Sequence, residues 1–266
     1  MGFESFGVRV AIAASSPELL ARIEAVRPPC FTAIEPNPDD PHFILRGSEN
    51  GTYTVEHRDG SVSGGPDLQV ALEVLGTRVR AYIALHAPTK IFVHAGVVGH
   101  GDHAIVLPGP SFSGKTTLVA ELIRAGATYY SDEFAVLDDQ GLVHPYPKPL
   151  SIRVDRLAQT DQDLAAFGGI AGDSPLPIGV IAITQFGVDS DWRPQRLSAG
   201  EAVLAMLKNT VPAQERPEQA LAAIRRAVDG AVVLQGARGE AAELVGELLE
   251  SAVARPQPVD HSSNGS

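Results

Sequence analysis

"LPGPSFSGKTTLVAEL", residues 107–122, is the stretch on which the reading of the chain turns. Gly109-Pro110-Ser111-Phe112-Ser113-Gly114-Lys115-Thr116 fits G-x-x-x-x-G-K-[ST], the pattern of a phosphate-binding loop. Average residue usage would give that pattern by accident in on the order of one chain per hundred of this length. The flanks narrow the reading further, because apolar "AIVLP" precedes the loop as a strand and an amphipathic helix follows at once. Unpaired N–H groups at a helix start, the helix dipole and a wrapped backbone together form an anion nest. The loop of residues 109–117, Pro110, Ser111, Phe112, Ser113 and Thr117 included, is therefore expected to hold a nucleotide's phosphates, with every residue but Pro110 offering a backbone N–H. Lys115 reaches the β- and γ-phosphates, and the Thr116 hydroxyl is suited to Mg²⁺.

Working outward, the chain has 266 residues, 44% of them hydrophobic, enough for one large core or two modest ones. No apolar run approaches the ~20 residues that span a bilayer. The start, "MGFESFGVRVAIAASS", has no basic n-region, so a cytoplasmic protein is expected. Net charge is −11, which speaks against nucleic acid or an acidic membrane as partner. Lysine is scarce: Lys90, Lys115, Lys148 and Lys208 are all there is. The single cysteine, Cys30, cannot form an intrachain disulfide and reads as an inert packed thiol.

Residues 1–88 read as a small α+β unit. "VRVAIAA" is a strand, "PELLARIEAV" a helix capped by Ser15 or Ser16, and "RPPCFTAIEPNPDDP" a loop. "HFILRG" and "TYTVEHRDG" form a hairpin around "SENG", and "DLQVALEVLGTRVRAYIAL" is a long helix stopped near Pro88. Residues 89–254 read as an α/β domain with a mixed sheet. Its strands are "IFVHAGVV", "HAIVLPG", "TYYSDEFAVL", "PIGVIAITQF" and "AVVLQGA". Its helices include the capping-box segment "LSAGEAVLAML", "PEQALAAIRRAV" and "GEAAELVGELLESAV". The tail 255–266 has a disordered composition. His100 and His103 belong to a hairpin tip and Asp138 and Asp139 to a turn, while Trp192 reads as a loop aromatic.

"HAGVV" before the loop and "YYSDEFAVLDDQGLVHPYPKPLSIR" after its helix resemble the HPr kinase/phosphorylase family, in particular its smaller relatives, some of which phosphorylate lasso-peptide precursors. The resemblance covers roughly residues 91–155 and implies a P-loop HPr-kinase-like domain that uses ATP and Mg²⁺. It places His94-Ala95 on the family's histidine step and Asp132-Glu133 on its acidic pair. Asp132 thereby inherits the general-base role, with a Walker-B-like Mg²⁺ partner as the alternative. Glu133 either faces away into the sheet or holds Mg²⁺ through water, so Thr116, Asp132 and Glu133 form the expected metal set. Arg153 matches a retained arginine suited to phosphoryl charge, and Lys148 reads as a surface or a phosphate-facing cation. "SIRV" departs from the family by placing Ser151 where a metal-binding Glu is expected, which tells against reverse phosphorylase activity and against HPr itself as substrate.

The resemblance implies an ATP-dependent serine kinase acting on a small protein or peptide. A small-metabolite kinase and a nucleotide-binding adaptor or sensor without transfer are the alternatives. HPr kinases assemble as hexamers, which leaves a homo-oligomer open.

Overall fold

Period-two and helical apolar patterns alternate along the chain, and each buries its apolar side in one of two compact units, Met1–Ile91 and Phe92–Ser266. The computed structural model describes residues 1–48, 50–110, 113–153 and 159–253, without the side chains of 152–153 and 159–161. Ser111, Phe112, the Arg153 side chain and the 255–266 tail thus lie outside the described residues. The fold is mixed α/β, with two mixed sheets and six α-helices among the described residues.

In the first unit, β1 (Gly2–Ser5), β2 (Val8–Ala14), α1 (Pro17–Arg22), β3 (Phe31–Ile34), β4 (His42–Gly47), β5 (Tyr53–His57), β6 (Val62–Gly65) and α2 (Leu68–His86) follow in order. The sheet order is β3-β1-β2-β4-β5-β6, with β2 and β4 parallel and the remaining neighbours antiparallel. Asp67 caps α2 by accepting from the Val70 amide, and Leu72, Leu75, Val79 and Ile83 form its buried stripe.

Three expectations for this unit need correction. The Pro-rich segment is not all loop, because Phe31–Ile34 pairs as an edge strand with β1. The helix from Pro17 ends at Arg22 and tightens into a 3₁₀ turn over Ile23–Val26. Cys30 is exposed rather than packed, and sits at φ 57° beyond two prolines.

The second unit is built on an eight-stranded sheet. Its elements are β7 (Ile91–His100), β8 (His103–Pro108), α3 (Lys115–Arg124), β9 (Thr128–Ser131), β10 (Phe134–Leu137), β11 (Val143–His144), β12 (Leu150–Arg153), β13 (Gln159–Gln162), β14 (Ile178–Phe186), β15 (Gln195–Arg196), α4 (Ala199–Leu207), α5 (Pro217–Val228), β16 (Val232–Arg238) and α6 (Val245–Val253). The sheet runs β11-β10-β7-β8-β14-β16-β15, with β9 also on β7, while β12 and β13 pair separately. β8, β14 and β16 are mutually parallel, so their carboxyl ends reach the same edge. Open α/β sheets bind ligands at that edge. α3, the turn at Leu244 and α6 cover one face through Leu118, Leu122, Leu244 and Leu248 against Ile105, Leu107, Val180 and Leu234. Half-buried Trp192, expected as a loop aromatic, packs against this same core.

Two readings change in this unit. "TYYSDEFAVL" is not one strand but two, broken at Asp132-Glu133. Ser131 Oγ accepts from the amides of Glu133 (3.1 Å) and Phe134 (2.9 Å), so a local side-chain bond replaces the ladder there. The C-terminal helical stretch opens as a 3₁₀ turn, Ala241–Leu244, before α6.

Candidate nucleotide site

Three features place the 109–117 loop. The Gly109 amide donates to the His94 carbonyl at 3.1 Å, tying the loop's start to β7. Gly96 lies under α3, where a Cβ would meet Val119 Cγ2 at 2.6 Å, so only glycine lets the helix sit this close to the strand. Gly114 adopts φ +83° at the helix start, and a Cβ there would meet Arg238 Nη2 at 2.5 Å. No side chain caps α3, and the amides of Gly114, Lys115, Thr116 and Thr117 have no acceptor among the described residues. Together with the helix dipole they form a positive pole open to an anion.

Lys115 bends back along the loop, where its ammonium donates to the carbonyls of Gly109 (2.8 Å) and Pro110 (2.6 Å). Burial lowers its pKa to about 8, with the charge of Asp132 opposing the shift. An anion at the loop would compensate this desolvated cation.

Asp132 projects toward the loop from the break between β9 and β10. Its Oδ2 lies 3.4 Å from Thr116 Oγ1, and its side chain is only 2% exposed. The Ser151 amide donates to Oδ2 at 3.2 Å, and the Tyr129 hydroxyl lies 3.1 Å from Oδ1. Lys148 Nζ pairs with Oδ1 at 3.0 Å while donating to Ser151 Oγ at 2.9 Å. Burial, with the Asp132 charge, pushes the Tyr129 phenol far above its usual range, so it stays a neutral donor. Of the two sequence readings of Lys148, the surface cation is overturned: the ammonium is inside, on the carboxylate.

His94 lies beside this cluster, within range of the Glu133 charge. The His94 ring packs on Phe134 with centroids 4.8 Å apart, and burial lowers its pKa. The Glu133 charge opposes that shift and the Lys115 charge adds to it. His94 therefore contributes its carbonyl to the loop's anchor and a neutral ring to the packing. The Glu133 carbonyl accepts from the Ala95 amide at 3.1 Å, fixing the bend that presents Asp132.

Among the described residues no group of three or more His, Cys, Asp or Glu side chains is arranged to hold a metal ion. Thr116 Oγ1 and Asp132 Oδ2 nevertheless fit Mg²⁺ as a pair. Cis ligands of an octahedral ion with bonds of ~2.1 Å stand roughly 3 Å apart, close to the distance found, and phosphate oxygens and water customarily supply the rest.

Arg238 escaped the sequence reading. It ends β16 and is 3% exposed, with Nη2 donating to the Gly114 carbonyl at 3.1 Å and Nη1 to the Gly239 carbonyl at 3.0 Å. Its only signal was position, an arginine at the carboxyl end of a strand. Beyond it opens a cleft of about 1040 Å³, bordered by Ser113, Gly114 and Thr117 and by the ends of β14 and β16. No protein-family model matches this chain, and no curated protein matches it at a significant level.

Proposed function

We propose that this chain is an ATP-dependent phosphotransferase of HPr-kinase-like type, moving the γ-phosphoryl group to a hydroxyl, preferentially a serine of a small protein or peptide. The observation that carries the reading is the buried Asp132 carboxylate facing Thr116 across 3.4 Å, at the open end of the amide nest. The amides of Gly114 to Thr117 and Lys115 bind the triphosphate, and Thr116 with Asp132 would hold Mg²⁺, which supplies charge neutralisation on the phosphates. The acceptor oxygen forms a bond to the γ-phosphorus as the bond to the β–γ bridging oxygen breaks. ADP departs and Asp132 takes the hydroxyl proton.

The reading requires slow ATP hydrolysis without acceptor, abolished by Lys115→Ala. It also requires phosphate transfer to a serine-bearing peptide that is lost in Asp132→Asn while nucleotide binding survives. A nucleotide-binding sensor without transfer is the second reading, favoured by the Lys148–Asp132 pair and the amide of Ser151, which already engage the carboxylate. Nucleotide binding with no turnover against any peptide or metabolite hydroxyl would select it.

A further inference from the structure

Two serine hydroxyls flank Asp132 and are held differently. Ser131 is fully buried, and its Oγ is spent on the bend, accepting from the amides of Glu133 and Phe134. Ser151 is only half-buried. Its neighbour Leu150 enters the core beneath α3, so the period-two alternation of β12 sends the Ser151 side chain away from that core. The Ser151 amide donates to Asp132 Oδ2 at 3.2 Å, the same oxygen that faces Thr116 Oγ1 at 3.4 Å. Lys148 Nζ bridges the two side chains, 3.0 Å from Asp132 Oδ1 and 2.9 Å from Ser151 Oγ. An ammonium only donates, so Ser151 Oγ is the acceptor in that bond and keeps its own proton to give away. An alcohol beside a carboxylate that can take its proton, and a cation that can steady its oxygen, is the arrangement of an activated nucleophile.

We propose that Ser151 is itself a phosphoryl acceptor, so that the chain phosphorylates its own serine in cis. The inference rests on the phosphotransfer reading of the 109–117 loop and Asp132. Ser151 Oγ forms a bond to the γ-phosphorus of ATP as the bond from that phosphorus to the β–γ bridging oxygen breaks. ADP leaves with the electron pair of the broken bond, and the hydroxyl proton passes to the Asp132 carboxylate. The phosphoserine finds its counter-ion in place, because Lys148 Nζ already donates to Oγ and its side chain is only 13% exposed.

Incubation of the full chain with Mg²⁺-ATP, followed by intact mass and peptide mapping, tests this, with a serine-bearing peptide offered in a parallel reaction. One phosphoryl group per chain is expected on Ser151, at a rate constant that dilution of the chain leaves unchanged. The mass gain should be lost in Ser151→Ala and in Lys115→Ala. Ser151→Thr keeps a hydroxyl at the same place and should carry the phosphate there. A phosphorylated peptide beside an unmodified chain, or phosphate mapped to any other residue, overturns self-modification and leaves the transfer reading standing. A rate constant that climbs with chain concentration overturns transfer in cis. Phosphate on neither chain nor peptide, with ATP bound, removes the transfer reading and this inference together.

Discussion

If the 109–117 loop binds a nucleotide as proposed, Lys115 should make its affinity depend on pH. In the free protein its ammonium is half-buried, held by two carbonyls, and gives up its proton at about 8 instead of the ordinary 10.5. A triphosphate laid against it favours the charged form, so the bound state carries the proton to higher pH. The complex is then the more protonated species, and affinity is level below about pH 7 and falls as pH rises through about 8. One unit above that value roughly one free molecule in ten remains protonated, so ATP should bind about tenfold more weakly near pH 9, a loss of about 1.4 kcal/mol.

Isothermal titration of Mg²⁺-ATP at half-unit steps from about pH 7 to about pH 9.5 measures this directly. Lys115→Arg keeps its charge throughout and should show a level profile. A level wild-type profile, or an equal fall in the arginine variant, would refute the argument. The same depressed pKa has a counterpart in folding. Between about 8 and 10.5 the unfolded chain keeps a proton that the folded chain has released, so stability of the ligand-free protein rises across that window. The rise is about 3 kcal/mol for a fully buried group and about half that once solvent screening is allowed for.

Lys148→Met leaves the Asp132 carboxylate buried without its cation and should cost about 3 kcal/mol in urea unfolding, most of it recovered when Asp132→Asn is added. Asp132→Asn alone should remove the gain in ATP affinity that Mg²⁺ brings, with metal-free nucleotide binding retained, as read by titration with and without the ion. Gly96→Ala drives a Cβ to within 2.6 Å of Val119 Cγ2 and should destabilise by about 1–3 kcal/mol, an effect that Val119→Ala relieves.

The strand before the glycine loop and the helix after it were legible because their determinants are local: an apolar run, the glycine spacing and an amphipathic stripe. The antiparallel pairing of β4 with β5, the Ser198–Glu201 capping box and the stripe of α2 were legible for the same reason. The break at Asp132 was not, since the apolar run on either side continues the strand pattern and the competing bond comes from one hydroxyl, that of Ser131. Phe31–Ile34 was hidden because an edge strand is defined by its partner, here Gly2–Ser5, rather than by its own composition. Lys148 drew notice through lysine scarcity and its flanking prolines, but its attachment to a carboxylate 16 residues upstream is a product of folding. Arg238, 124 residues beyond Gly114, carries no sequence pattern at all, because its place under the loop comes from the parallel pairing of β8, β14 and β16.

The prolines around Lys148 are steered by aromatic packing rather than by the site. Tyr146 fits edge-on between Phe92 (5.9 Å) and Phe134 (5.7 Å), and its amide donates to the Tyr130 carbonyl at 3.0 Å. A random-mutagenesis screen scored only by the proposed transfer should therefore return Tyr146, Phe92 and Phe134 among its dead clones, because these rings pack on one another and hold the segment in place. Thermal melts run on each dead clone would sort this scaffold lesion from damage to the loop, because it shifts the melt as well as the rate.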